Sequence, residues 1–213
     1  MDFHSLTRGG VAILVIAAGA LISPLFAAPY SHTMDFNLPI PSPDDPQSEY
    51  CRGWMDDAII EIPHHFIIDD LDVFIDLIHE GIVDLKIVLQ SPAGTNIVLN
   101  QAGNMAFIVR GQDGGITAYG GSVQWLFDDE AIISIEEATE PFIGSFRPTR
   151  NLSSFDNEDA YGPWCLSIYD SLDAHVGVLD SFGLVITTPE PATAVLLMLG
   201  AGWAAFLRPY RRH

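Results

Sequence analysis

Residues 71–100 read LDVFIDLIHEGIVDLKIVLQSPAGTNIVLN, and their spacing decides the fold. Leu71, Val73, Ile75 and Leu77 alternate with Asp72, Phe74, Asp76 and Ile78. That two-residue period predicts a strand with one apolar face and one only partly polar face. Glu80-Gly81 interrupts the pattern. A second strand is predicted over 84–90, with Leu85, Ile87 and Leu89 inward and Lys86, Val88 and Gln90 outward. Ser91-Pro92-Ala93-Gly94 ends it, because proline lacks the ladder N–H and glycine tolerates positive φ. A third strand is predicted over 96–99. Strands joined by tight turns at this density predict an antiparallel sandwich rather than a helical design.

Downstream, Trp164, Leu166 and Ile168 alternate with Cys165, Ser167 and Tyr169, which predicts a strand that turns its tryptophan inward. Phe182, Leu184 and Ile186 repeat the pattern near the end of the domain. Upstream, Ala58–Ile62 reads as a first strand, ended by Pro63-His64-His65. Neighbouring histidines on a strand or turn point apart, so these two are expected to face solvent. About eight strands over 58–187 can enclose one core between two sheets.

The residues in the opening stretch also carry a resemblance. The run His79, Asp84, Leu85, Ile87, Leu89, Ser91, Pro92, Gly94 and Thr95 resembles the signature of the P domain (P/Homo B domain). That module follows the subtilisin-like catalytic domain in proprotein convertases and many secreted bacterial proteases. The second half is similar to it in order: Phe127-x-Asp129-x-Ala131, proline and glycine around Phe142, a step at Leu152, Gly162-x-Trp164-x-Leu166-x-x-x-Asp170, then Gly177-x-Leu179. The chain departs from the pattern at Glu80, where threonine is usual, at Asp156-Asn157, where glycine is common, and at Pro163 before the tryptophan. The resemblance implies a jelly-roll core over 58–187 and a structural role for His79.

The family's proteolytic label does not bring catalytic residues with it. A serine protease needs a serine, a histidine base, an orienting carboxylate and an oxyanion hole. The subtilisin-like serine motif G-T-S-x-A-x-P is absent, since Gly94-Thr95 is followed by Asn96. No catalytic residue is assigned, and the chain is expected not to be an enzyme. Asp84, Asp128, Asp129 and Asp170 stand at strand ends or turns and are candidate calcium ligands, because calcium takes six to eight oxygens. The competing reading is that they cap turns. Calcium is the one candidate cofactor. A hydrolase built on the chain's own carboxylates is a further alternative. Gly103–Gly121 holds six glycines but lacks the GxxxxGK context of a nucleotide loop, and is expected to be a long loop or hairpin.

The bulk numbers bound the partners. The 213 residues carry a net charge of −19, and the chain without its two ends has 26 acidic side chains against five basic ones. A surface this negative repels phosphate backbones and excludes nucleic acid. It suits a secreted protein that meets divalent cations, or simply a soluble one. Cys51 and Cys165 are the only cysteines, and in an exported chain they permit one disulfide.

Residues 1–28 join Arg8, an apolar run and Ala27-Ala28, the layout of a cleaved signal peptide, with an uncleaved anchor as the alternative. Residues 29–57, with Pro39, Pro41, Pro43 and Pro46, read as an extended linker that Cys51 and Trp54 tie onto the domain. In 188–213, Pro189-Glu190-Pro191 precedes 16 residues, nearly all apolar, and then Arg208, Arg211 and Arg212. This order resembles the PEP-CTERM sorting signal of Gram-negative bacteria, which implies a signal peptidase and a membrane exosortase as processing partners. An uncleaved tail anchor is the alternative. The expected protein is a non-catalytic module at the envelope, cell surface or extracellular matrix of a Gram-negative-type bacterium. It would bind a protein or glycan or build the matrix, or it would serve as an accessory to a separate subtilisin-like protease.

Overall fold

The computed structural model describes residues 28–45, 52–103, 121–138, 143–172 and 175–189. The alternating stretches form strands: β1 (Tyr30–Ile40), β2 (Gly53–Trp54), β3 (Ala58–Ile62), β4 (Asp70–His79), β5 (Leu85–Gln90), β6 (Asn96–Asn100), β7 (Gly121–Phe127), β8 (Ile143–Phe146), β9 (Gly162–Asp170) and β10 (Gly177–Thr187). One sheet has the order β1-β10-β4-β7-β8 and the other β2-β9-β5-β6, with β3 continuing the β2 edge along β9. Every pairing is antiparallel except β7 with β8. The expected all-β sandwich is the observed architecture.

The core lies between the sheets. Leu71, Val73, Ile75 and Leu77 of β4, with Phe182, Leu184 and Ile186 of β10, are buried on one side. Leu85, Ile87 and Leu89 of β5, with Trp164, Leu166 and Ile168 of β9, face them from the other. Trp164 is fully buried; it packs edge-on against Phe155 at 5.2 Å and donates its indole N–H to the Ala160 carbonyl at 2.9 Å. Trp164 thus keeps its one donor satisfied in the core.

Two features differ from the sequence expectation. Strands β4 and β5 are not hairpin partners: a 3-10 turn at Ile82–Asp84 carries the chain from one sheet to the other. Both strands present an aliphatic row to the same core, β4 from one sheet and β5 from the other. The tight hairpin is β5–β6, where Gly94 takes φ 91° as its turn requires. The second difference is at the N-terminal side, where the expected linker contains β1. Tyr30–Ile40 pairs along β10 and forms the edge of its sheet. Tyr30, His32, Met34, Phe36, Leu38 and Ile40 alternate with Ser31, Thr33, Asp35, Asn37 and Pro39. Pro39 is tolerated because an edge strand can spare a ladder donor. The expected loop at 103–121 and the apolar helices expected at the two ends lie outside the described residues, apart from Ala28, Gly103, Gly121 and residues 188–189. No helix among the described residues is long and apolar enough to cross a membrane.

Candidate functional site

The sequence-selected aspartates fall at opposite ends of β4. Val73 of β4 pairs with Phe127 and His79 with Gly121, six residues apart along the strand. At ~3.3 Å per residue the two ends stand about 20 Å apart. Asp128 and Asp129 follow Phe127 at one end; Asp84 and Asp170 gather near His79 at the other. No single ion can span all four.

At the His79 end, two histidine–carboxylate pairs meet. His79 Nε2 donates to Asp170 Oδ2 at 3.1 Å, and both side chains are 0% exposed. Its Nδ1 accepts from the Gly81 N–H at 3.0 Å, so both ring nitrogens are occupied and the Nε2–H tautomer is set. Asp170 Oδ1 accepts from the Leu172 N–H at 3.1 Å. His79 belongs to one sheet and Asp170 to the other, so this pair pins the sandwich shut. The histidine expected to be structural is held as a structural one. Beside it, His175 Nδ1 and Asp84 Oδ2 stand 2.9 Å apart. Ser171, the nearby hydroxyl, donates to the Asp84 backbone carbonyl at 2.8 Å rather than to an imidazole. Gly81 leaves the room these groups need: a Cβ there would lie 2.3 Å from His175 Nδ1.

At the far end the carboxylates crowd. Asp129 accepts from the Leu152 and Ser153 N–H groups, both at 2.9 Å, and holds the 3-10 turn Leu152–Phe155. Asp128 Oδ1 accepts from the Glu130 N–H at 2.7 Å. These are turn-capping bonds, and a cation would have to share their oxygens. Asp72, on the outer face of β4, is pushed up to about 7 by burial and then by Asp70, Asp128, Glu130 and Asp129. Burial likewise raises Asp70 and Asp156, and a hydrogen bond with Asp128 raises Glu130. Among the described residues, no three His, Cys, Asp or Glu side chains are placed to hold a metal ion.

The remaining candidates are simply placed. His64 meets Tyr30 and Phe66 edge-on, whereas His65 stacks on Tyr161 at 4.2 Å with Nδ1 2.6 Å from Asp159 Oδ2. Both are exposed and they point to different neighbours, as expected. The His65 hydrogen bond lowers Asp159. Cys165 is half-buried on β9, 3.8 Å from the Ser167 hydroxyl, and burial pushes its thiol up. Its expected partner Cys51 lies outside the described residues, as do Glu190, Pro191, Arg208, Arg211 and Arg212; Pro189 is exposed at the last described position. Sequence reasoning missed His175 as the partner of Asp84, because the two are 91 residues apart. It also treated Trp54 only as a tether.

Comparison with known proteins follows from this geometry. No curated protein matches the chain. The crystal structure of a serine protease of Aeromonas sobria is similar at TM-score 0.43 and 16% identity, over 75% of this chain and 26% of that one. The complex of the Aeromonas sobria serine protease with its chaperone gives TM-score 0.43 and 15% identity, over 76% and 27%. The chain thus spans about a quarter of the length of those structures. The proprotein convertase P-domain model matches residues 68–186, from the approach to β4 through almost all of β10. Over that span lie the His79–Asp170 clasp and the buried Trp164, and the chain belongs to the proprotein convertase P-domain family.

Proposed function

We propose that this protein is an exported, non-catalytic P-domain module that works at the cell envelope or in the extracellular matrix by binding rather than by cutting. The observation that supports the reading is the self-contained sandwich. Strand β1 of the same chain completes the edge of the β10 sheet, ahead of the family-matched region. The P domain is a non-catalytic accessory of subtilisin-like proteases, and the described histidines in this one are engaged in ring packing or in hydrogen bonds to aspartates. Export rests on the apolar start at 1–28, and retention on the Pro189-Glu190-Pro191, apolar and arginine-ended tail. A signal peptidase and an exosortase-type enzyme would process these ends. Family membership favours a second reading, in which the domain steadies a separate subtilisin-like protease.

Cell fractionation with intact-mass measurement tests the first reading. It predicts a mature chain outside the cytoplasm that has lost the first 27 or 28 residues. A full-length cytoplasmic protein would contradict it. A fluorophosphonate probe should leave the purified chain unlabelled. Stoichiometric co-purification of a protease from the native envelope would decide for the accessory role.

A further inference from the structure

We propose that the outer face of the β9 sheet carries a glycan-binding groove with Trp54 as its stacking platform. The inference rests on the binding-module reading above and names the ligand class. Trp54 is 42% exposed and leans on Tyr169 with ring centroids 5.0 Å apart. Its backbone is pinned on both sides. The Trp54 N–H donates to Asp45 at 2.8 Å, its carbonyl accepts from Ser42 at 2.9 Å, and the Met55 N–H donates to Ile168 at 2.8 Å. An aromatic ring held in water by a fixed backbone is a ready platform, because little freedom is lost when a ligand covers it.

Trp54 lines an open groove of about 580 Å³, with five polar residues among its eight lining residues. Those five are Asp56, Asp57, Lys86, Asn96 and Ser167. The Ser167 hydroxyl donates to Asp57 at 2.6 Å and fixes that carboxylate. The Asn96 amide nitrogen donates to the Gly94 carbonyl at 3.0 Å, which turns its oxygen into an available acceptor. Lys86 forms no salt bridge among the described residues.

This chemistry selects a polyhydroxylated ligand. A pyranose has an apolar C–H face for the tryptophan and a rim of hydroxyls that both donate and accept. Carboxylates take paired hydroxyl protons, while the ammonium donates to ring and glycosidic oxygens. Two aspartates against one lysine, on a chain of net charge −19, disfavour an anionic sugar and point to a neutral one. An extended peptide fits less well. β5 and β9 are both paired on each side, so the floor of the groove offers no free backbone edge for strand addition.

The test is titration of the full chain with cellohexaose, mannohexaose, xylohexaose and chitohexaose, followed by tryptophan fluorescence and calorimetry. Trp125 and Trp164 are buried, so neither core tryptophan should answer to a surface ligand. At least one hexaose should shift the fluorescence. Trp54→Ala should weaken its binding by about tenfold or more, and Asp57→Asn by a smaller factor, with the melting temperature unchanged. Trp54→Phe should restore part of the loss. The proposal is overturned if no hexaose binds, if Trp54→Ala binds as wild type does, or if a proline-rich decapeptide occupies the groove instead. None of these failures would alter the fractionation result, so the two readings fail separately.

Discussion

Replacing His79 with alanine would leave the Asp170 carboxylate buried without its imidazole donor, and the Gly81 N–H without its acceptor. Removing one partner of a buried pair costs roughly 3–5 kcal/mol, a large share of a domain's stability. Urea denaturation should show that loss, whereas Asp170→Asn, which keeps an acceptor oxygen, should cost about 1–2 kcal/mol. Equal effects would mean that the charge of Asp170, rather than the contact alone, carries the stabilisation. Asp72 sets a pH dependence of the opposite kind to a salt-bridged carboxylate. Its folded pKa of about 7 lies above the ordinary aspartate value, so the folded state holds the extra proton between about pH 4 and 7. Its contribution to stability is therefore lost as pH rises through that window. Asp72→Asn should stabilise the protein at pH 8 by about 1–2 kcal/mol, with the half-open site screened by solvent, and by almost nothing at pH 4. Denaturant midpoints at the two pH values check both sign and size.

At the scale of elements, β4, β5, β9 and β10 were legible because each turns large aliphatic or aromatic residues inward at every second position, broken in β10 where the register shifts between Leu179 and Ser181. Their assignment to sheets was not legible. Alternation says which face is buried but not which strand lies alongside, and the 3-10 turn after β4 sends the chain across the core. β1 carried the same alternation from Tyr30 to Ile40, but the prolines at 39, 41, 43 and 46 read as linker and outweighed it. The close approach of β1 to β10 depends on Gly183, where a Cβ would lie 2.3 Å from Thr33 Oγ1 and 3.2 Å from the His32 carbonyl. Gly183→Val should therefore cost about 1–3 kcal/mol in urea denaturation, and Thr33→Gly in the same chain should recover part of it. No recovery would mean that the valine harms β10 itself rather than its contact with β1. The groove was illegible for a related reason. Trp54, Lys86, Asn96 and Ser167 come from four separate strands or their flanks and converge only once β9 is paired on both sides.

At the scale of the whole molecule, the family match starts at residue 68 while the observed domain starts at residue 30. The three strands before the match are not appendages: β1 closes one sheet, and β2 and β3 together line an edge of the other. The described sandwich therefore takes in three strands from outside the family-matched residues. Hydrogen exchange read by mass spectrometry on the full chain tests this most directly. The β1 amides that face β10 should exchange with protection comparable to β4 and β10, and should open with them in one cooperative step. Exchange of residues 30–40 at free-peptide rates, while 70–79 and 177–187 stay protected, would make that stretch a linker and contradict the account.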